Sequence, residues 1–382
     1  MLKPNKIPLS LYIHIPWCIR KCPYCDFNSY VFCQKDVFSE EYVDILIRDL
    51  QCDLLKMHHD QRELVSIFIG GGTPTLFSAR TIVDLLEKVY QLISVKNNIE
   101  ITIEANPGTV NISDLKLLRS VINRISFGAQ SFQEDKLKAI GRIHNVEDIL
   151  LAVDLAIKAG FDNVNLDLMY GLPGQSINDV LSDINIASSL NLSHLSWYQL
   201  TIEQDTVFYH HTPNIPDEDT IFSMQVNGQK LLQEYGYERY EISAYSKSKK
   251  ECTHNLNYWE FGDYLGIGAG AHSKITYHNN EILRSIKYGD PKFYMQQTKN
   301  FIAEVRKVSS RELILEFMMN ALRLCKPINL KLFNERTGLS NKVLINGLRQ
   351  AQEYNYIEKE GSYIKTTEQG RNFLNDLICL FM

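Results

Sequence analysis

The 382-residue chain has no run of about 20 apolar residues, so no segment of it is long enough to span a bilayer as a helix. It has no excess of one charge either. Forty basic against 45 acidic side chains leave a net charge of -5, which gives no field to draw nucleic acid or an anionic membrane surface. Its eight cysteines stand at 18, 22, 25, 33, 52, 252, 325 and 379, three clustered and the rest scattered. That excludes the even, short-range framework of a secreted disulfide domain and points to a reducing cytoplasm. The start imitates a signal peptide only superficially, because prolines and His14 interrupt the apolar run and Ile15 and Trp17 stand where a cleavage site needs small side chains. Internal repeats and low-complexity tracts are also missing.

What is present, at 45% hydrophobic residues, suffices for one large domain and a smaller one. Short β-rich runs at 9–15, 65–69, 99–104, 123–128, 163–169 and 194–200 each precede a helical pattern. Ser39, Ser78, Ser113, Asn145, Ser176 and Asp217 stand where N-caps belong, and Gly160 and Gly236 where helices stop. Six βα units in succession predict an α/β fold with a parallel sheet, closed or partly closed as a (β/α)6 barrel over residues 1–240. Residues 241–300 read as an aromatic, glycine-rich segment running into a connector at 287–307. Residues 301–382 read as a helical, winged-helix-like domain with helices at 330–337 and 340–354, a hairpin at 356–365 and a last helix from Thr367. A winged helix suggests DNA binding, but its bases are nearly matched by acids and form no basic stripe, so a packing or lid domain is expected and no nucleic acid.

The most informative stretch is His14-Ile15-Pro16-Trp17-Cys18-Ile19-Arg20-Lys21-Cys22-Pro23-Tyr24-Cys25. Its C-x3-C-x2-C spacing offers three thiolates to a cluster of four irons and leaves one iron open for a ligand that is not protein. A zinc knuckle completed by His14 or Cys33 is the plainer alternative, although structural zinc sites usually come from two separated ligand pairs. The cysteine loop resembles the radical S-adenosylmethionine (radical SAM) superfamily, in which the open iron takes the amino and carboxylate groups of SAM.

Other polar residues fall where a parallel barrel gathers its chemistry, at the carboxyl ends of strands. Gly70-Gly71-Gly72-Thr73-Pro74-Thr75 follows the second strand, and its glycines allow close approach and offer N–H groups, though a tight turn explains them equally well. Glu104, Gln130, Arg142 and Asp167 stand near later strand ends. Each alone is an ordinary surface or cap residue, but together they offer acceptors and a guanidinium to a cation that carries a carboxylate and a ribose.

Tyr12, the cysteine loop, the GGGTPT turn, these four residues and Tyr170-Gly171-Leu172-Pro173-Gly174-Gln175 resemble the oxygen-independent coproporphyrinogen III oxidase family and its relatives over nearly the whole chain. That resemblance implies one 4Fe-4S cluster on Cys18, Cys22 and Cys25. It implies a SAM site lined by Tyr12, Gly71, Glu104, Gln130, Arg142, Asp167 and Thr201, with Tyr24, Gly72 and Thr73 matching positions that contact a second SAM in the oxidase. The glycine turn corresponds to the superfamily motif that holds the amino group of SAM.

Two departures separate the chain from the oxidase proper: Phe27 stands where the oxidase has a further cysteine, and only ten residues precede Leu11. Both match the HemW branch of heme-binding proteins, as does His254-Asn255-Leu256-Asn257-Tyr258-Trp259, which fits an HNxxYW heme motif. An imidazole can ligate heme iron, and Tyr258 and Trp259 can pack on a porphyrin face. Taken alone, a histidine among aromatics is usually a structural residue. The resemblance thus implies a heme chaperone whose partners are heme and a recipient heme protein, in the membrane or out of it. It leaves open a homodimer, residual oxidase activity and whether SAM is cleaved, and it assigns no catalytic residue.

Overall fold

The structure, a computed structural model, describes residues 2–31, 39–57 and 60–382. Six strands run parallel and adjacent in chain order: β1 (Leu9–Ile15), β2 (Leu64–Gly71), β3 (Val95–Ala105), β4 (Arg124–Gln130), β5 (Val164–Tyr170) and β6 (His194–Gln199). Alternation along β1 shows why they do. Leu9, Leu11, Ile13 and Ile15 are almost wholly covered and belong to the main apolar core. Ser10, Tyr12 and His14 share the opposite face, where polar partners meet them.

The helices between strands start on the expected caps at Ser78, Asn145, Ser176 and Asp217, each side chain accepting a backbone N–H three residues on. The third interstrand helix departs from expectation. Asn111 is its N-cap, and Ser113 lies inside the helix and donates to Asn111 Oδ1 at 2.5 Å, because the Asn carboxamide reaches the orphan N–H of Asp114 first. Helix Ser39–Lys56 is described from Ser39 on, and the residues just before it lie outside the described residues. Gly160 and Gly236 follow their helices at positive φ, +95° and +78°.

The sheet extends well past six strands. After β7 (Glu238–Glu241) and β8 (Ala244–Ser246), which pair antiparallel beyond β6, the chain returns to lay β9 (Asp263–Ile267) parallel against β1. Strands β10 (His272–Thr276), β11 (Ile282–Lys287) and β12 (Ile302–Lys307) then add antiparallel, giving the order β12-β11-β10-β9-β1-β2-β3-β4-β5-β6-β8-β7. The stretch expected as a connector therefore holds helix Pro291–Met295 and an edge strand. Its charged, exposed residues conceal the pairing, because an edge strand buries little.

A second apolar cluster joins helices Ser310–Ala321, Lys331–Thr337 and Ile345–Glu353 to the hairpin Ile357–Glu360 and Tyr363–Thr366, and draws in Leu2, Ile7, Phe261 and Ile282 from earlier in the chain. Two short helices, Glu368–Asn372 and Leu374–Cys379, stand where one was expected. Arg284 on β11 ties the two parts by donating to Glu316 on helix Ser310–Ala321 at 2.8 Å. Among the described residues no helix is long and apolar enough to cross a membrane.

Candidate functional site

The polar face of the six-strand arc opens into a cavity of about 500 Å³. Cys18, Cys22 and Cys25 line it as free thiols, with Cys18 on a two-residue strand Trp17–Cys18 that Tyr30–Val31 pairs. Burial raises the thiol pKa values of Cys18 and Cys25. Among the described residues no three His, Cys, Asp or Glu side chains converge as a single metal ion requires. His14 is committed elsewhere, one ring nitrogen 2.8 Å from the Tyr12 hydroxyl and the other 2.8 Å from the Asn28 carbonyl, and Cys33 lies outside the described residues. A zinc knuckle completed by His14 would have to break at least one of those two contacts.

Gly71, Gly72, Thr73, Glu104, Gln130, Arg142, Asp167, Thr201 and Tyr24 line the same cavity, so the structure brings together nearly all the residues that the sequence singled out for SAM. Tyr12 lines a second, adjoining cavity. One expectation changes. The glycine turn does not hold its N–H groups free, since Gly71 N donates to Glu104 Oε2 at 3.0 Å, Gly72 N to the Ile15 carbonyl at 2.8 Å and Thr73 N to the Trp17 carbonyl at 2.7 Å. A Cβ on Gly72 would lie 2.3 Å from the Trp17 carbonyl oxygen, so this glycine admits the cysteine loop's own backbone.

Charge is arranged around that turn. Burial, with Asp167 nearby, pushes the Glu104 carboxyl up to about 8 against the opposing Gly71 N–H, and burial raises Asp167 as well. Arg142 Nη2 donates to Asn106 Oδ1 at 2.6 Å and to the Gly128 carbonyl at 2.7 Å, and Nη1 lies 3.7 Å from Cys22 Sγ. Among the described residues its buried Nε has no partner, and neither has Trp259 Nε1 on the same cavity wall. These two donors are what a ligand carboxylate or ring acceptor would satisfy. Gln130 ends β4 at φ +73°, an uncommon backbone for a non-glycine residue, and its Oε1 accepts from Tyr198 at 3.0 Å.

Helix Thr253–Trp259, which carries the HNxxYW segment, packs against the polar face of β1 and β2 with Glu100 accepting its first N–H groups at 2.9 and 3.0 Å. His254 lines neither cavity. Tyr258 lines the second one, about 740 Å³ in volume, and Trp259 stands in both, as do Gly71, Glu104, Asp26 and Phe27. Sequence reasoning missed Asn106, Tyr198 and His272, the last of which also faces the larger cavity. Asn106 in Glu104-Ala105-Asn106-Pro107 carried a positional signal, being two residues past Glu104; His272 carried none.

Comparison with known proteins follows this geometry. Residues 12–187 match the radical SAM superfamily, and residues 308–373 match the HemN C-terminal domain. The chain is 46% identical over 382 residues to the heme chaperone HemW of Haemophilus influenzae, covering 99% of each, and 44% identical to that of Escherichia coli, covering 98% of each. It belongs to the HemW family of the radical SAM superfamily. Coproporphyrinogen III oxidase (HemN) from Escherichia coli shares its fold, with a TM-score of 0.82 at 21% identity over 99% of this chain and 90% of that one. The architecture is thus the superfamily's partial (β/α)6 barrel with a helical C-terminal domain. Membership in the family implies a 4Fe-4S cluster and SAM, which the free thiols and the unpartnered donors of the smaller cavity fit.

Proposed function

We propose that this protein takes up heme and hands it to a recipient heme protein, holding a 4Fe-4S cluster on Cys18, Cys22 and Cys25 and SAM beside it. The observation that carries the reading is the larger cavity, walled by Tyr258 and Trp259 of the HNxxYW segment and flanked by Phe27, the residue that replaces the oxidase's extra cysteine. Its volume of about 740 Å³ is within the range of small-molecule sites, and its aromatic walls suit a planar macrocycle. The chain-long identity to proteins named heme chaperones supports the same conclusion.

In the smaller cavity Arg142 would bind the carboxylate of SAM, while Glu104 and Asp167 would accept from its amino and hydroxyl groups. Burial keeps Glu104 protonated near neutral pH when no cation faces it, and the positive sulfonium of SAM in the same cavity would draw that proton away. Gln130, Thr201 and Gly71 complete the wall, Tyr12 backs it from the adjoining cavity, and Tyr24, Gly72 and Thr73 lie toward the cysteine loop. The SAM-bound cluster would supply redox chemistry when loaded.

The test is anaerobic reconstitution followed by two assays on one sample, heme binding and conversion of coproporphyrinogen III. Heme uptake with the porphyrinogen left unchanged is expected. Robust decarboxylation without heme uptake would replace the carrier with an oxidase.

A further inference from the structure

We propose that His272 is the imidazole that meets the iron of the cargo heme, and that His254 serves only to hold Tyr258 in the cavity wall. The inference rests on the carrier reading above. A nitrogen that binds iron needs its lone pair free and its ring facing the cavity. His254 meets neither condition: it is 1% exposed, its Nδ1 lies 2.8 Å from Ser66 Oγ, and its Nε2 lies 2.8 Å from the Tyr258 hydroxyl. His14 lines the larger cavity, but both its nitrogens are occupied as well.

His272 opens β10 with an exposed side chain that lines the larger cavity, and no side-chain hydrogen bond among the described residues engages its ring. Partial burial and the nearby Arg284 guanidinium hold its pKa below the ordinary value, outweighing Glu304, so a nitrogen lone pair is available near neutral pH. Phe27 and Met319, 57% and 45% exposed, line the same cavity as apolar surface that a macrocycle would cover. Arg284 places a guanidinium at this cavity, fixed by Glu316 and by the Tyr264 hydroxyl at 2.7 Å, where a propionate could meet it.

The experiment titrates cluster-loaded full-length protein with ferric heme and follows the absorption and electron paramagnetic resonance spectra. His272→Ala should shift the Soret band and weaken heme binding by about tenfold or more, since losing even a group that only supports a metal ligand costs about that much. Added imidazole should restore the band, while iron content and the cluster chromophore stay at wild-type levels. His254→Gln should keep the wild-type band position. An unshifted Soret band in His272→Ala, or a shift confined to His254→Gln and reversed by imidazole, would overturn the assignment. Wild-type protein that takes up no heme would overturn the carrier reading itself, and that result is visible before any variant is made.

Discussion

Tyr258 stands one helical turn beyond His254, and its hydroxyl lies 2.8 Å from His254 Nε2 while Ser66 Oγ lies 2.8 Å from Nδ1. The imidazole therefore bridges β2 to the wall of the larger cavity and does not face into it. Burial, with Arg124 adding, pushes its pKa down to about 3, so the ring is neutral and uses one nitrogen as donor and the other as acceptor. Asn257 extends the network by donating to Ser10 Oγ at 2.8 Å, and Ser10 in turn meets Ser66 at 2.8 Å.

Replacing His254 with alanine should cost about 2 to 4 kcal/mol of stability, because it opens a cavity and leaves Ser66 and Tyr258 without partners. Chemical denaturation measures this. Heme binding should weaken through the displaced Tyr258, with cluster iron retained. A variant as stable as wild type would remove the structural role assigned to the ring.

Single alanine changes at Cys18, Cys22 or Cys25 should abolish the brown chromophore of the anaerobic protein, since on the proposed reading these three thiolates are the whole protein ligand set. Changes at Cys52 and Cys379, which line neither cavity, should leave it. Iron and zinc analysis on the same samples checks the outcome. A chromophore that survives loss of Cys22, or zinc in place of iron, would sink the cluster.

Gly72→Ala should reduce cluster retention and cost about 2 to 3 kcal/mol by overpacking, because the new methyl meets the Trp17 backbone one residue before Cys18. Any loss of SAM binding should follow the loss of iron. Full iron content with selectively weakened SAM binding would show that this glycine faces the ligand after all.

Glu104 makes the ligand-free protein sensitive to alkali. Its folded pKa of about 8 lies above its ordinary value of 4.5, so between these the native state binds the extra proton and stability falls as pH rises. Asp49 and Asp183, raised to about 6 mainly by burial, have the same sign but complete most of their loss at lower pH. From about pH 6.5 to about pH 8 the Glu104 contribution should be about 1 to 2 kcal/mol after allowance for water in the cavity. Denaturation midpoints at the two pH values should differ in the wild type and converge in Glu104→Gln. An equal slope in both proteins would place the titration elsewhere.

Local spacing determined a good deal. The three cysteines, the six βα units and four of the helix caps are short-range patterns, and strand ends named Glu104 and Gln130 because a parallel arrangement puts its carboxyl ends together, whereas Asp167 stands in the middle of β5 and reaches the cavity from there. The glycine turn was legible as a turn, but whether its close approach served a ligand or the Trp17 backbone depended on what lay opposite.

Only the tertiary structure decided that 263–307 continues the sheet, with β9 parallel to β1, since that pairing joins Leu9 to Asp263 across most of the chain and leaves weak alternation in the exposed strands. It also decided the fate of the histidines. His254 and Ser66 are 188 positions apart, and their contact turns the histidine of a recognisable motif into a buried brace, while His272, which no motif marks, is left facing the cavity. A residue's type states which bonds it can make; which of them remain free is set by the neighbours that the fold brings to it, and those neighbours come from distant strands.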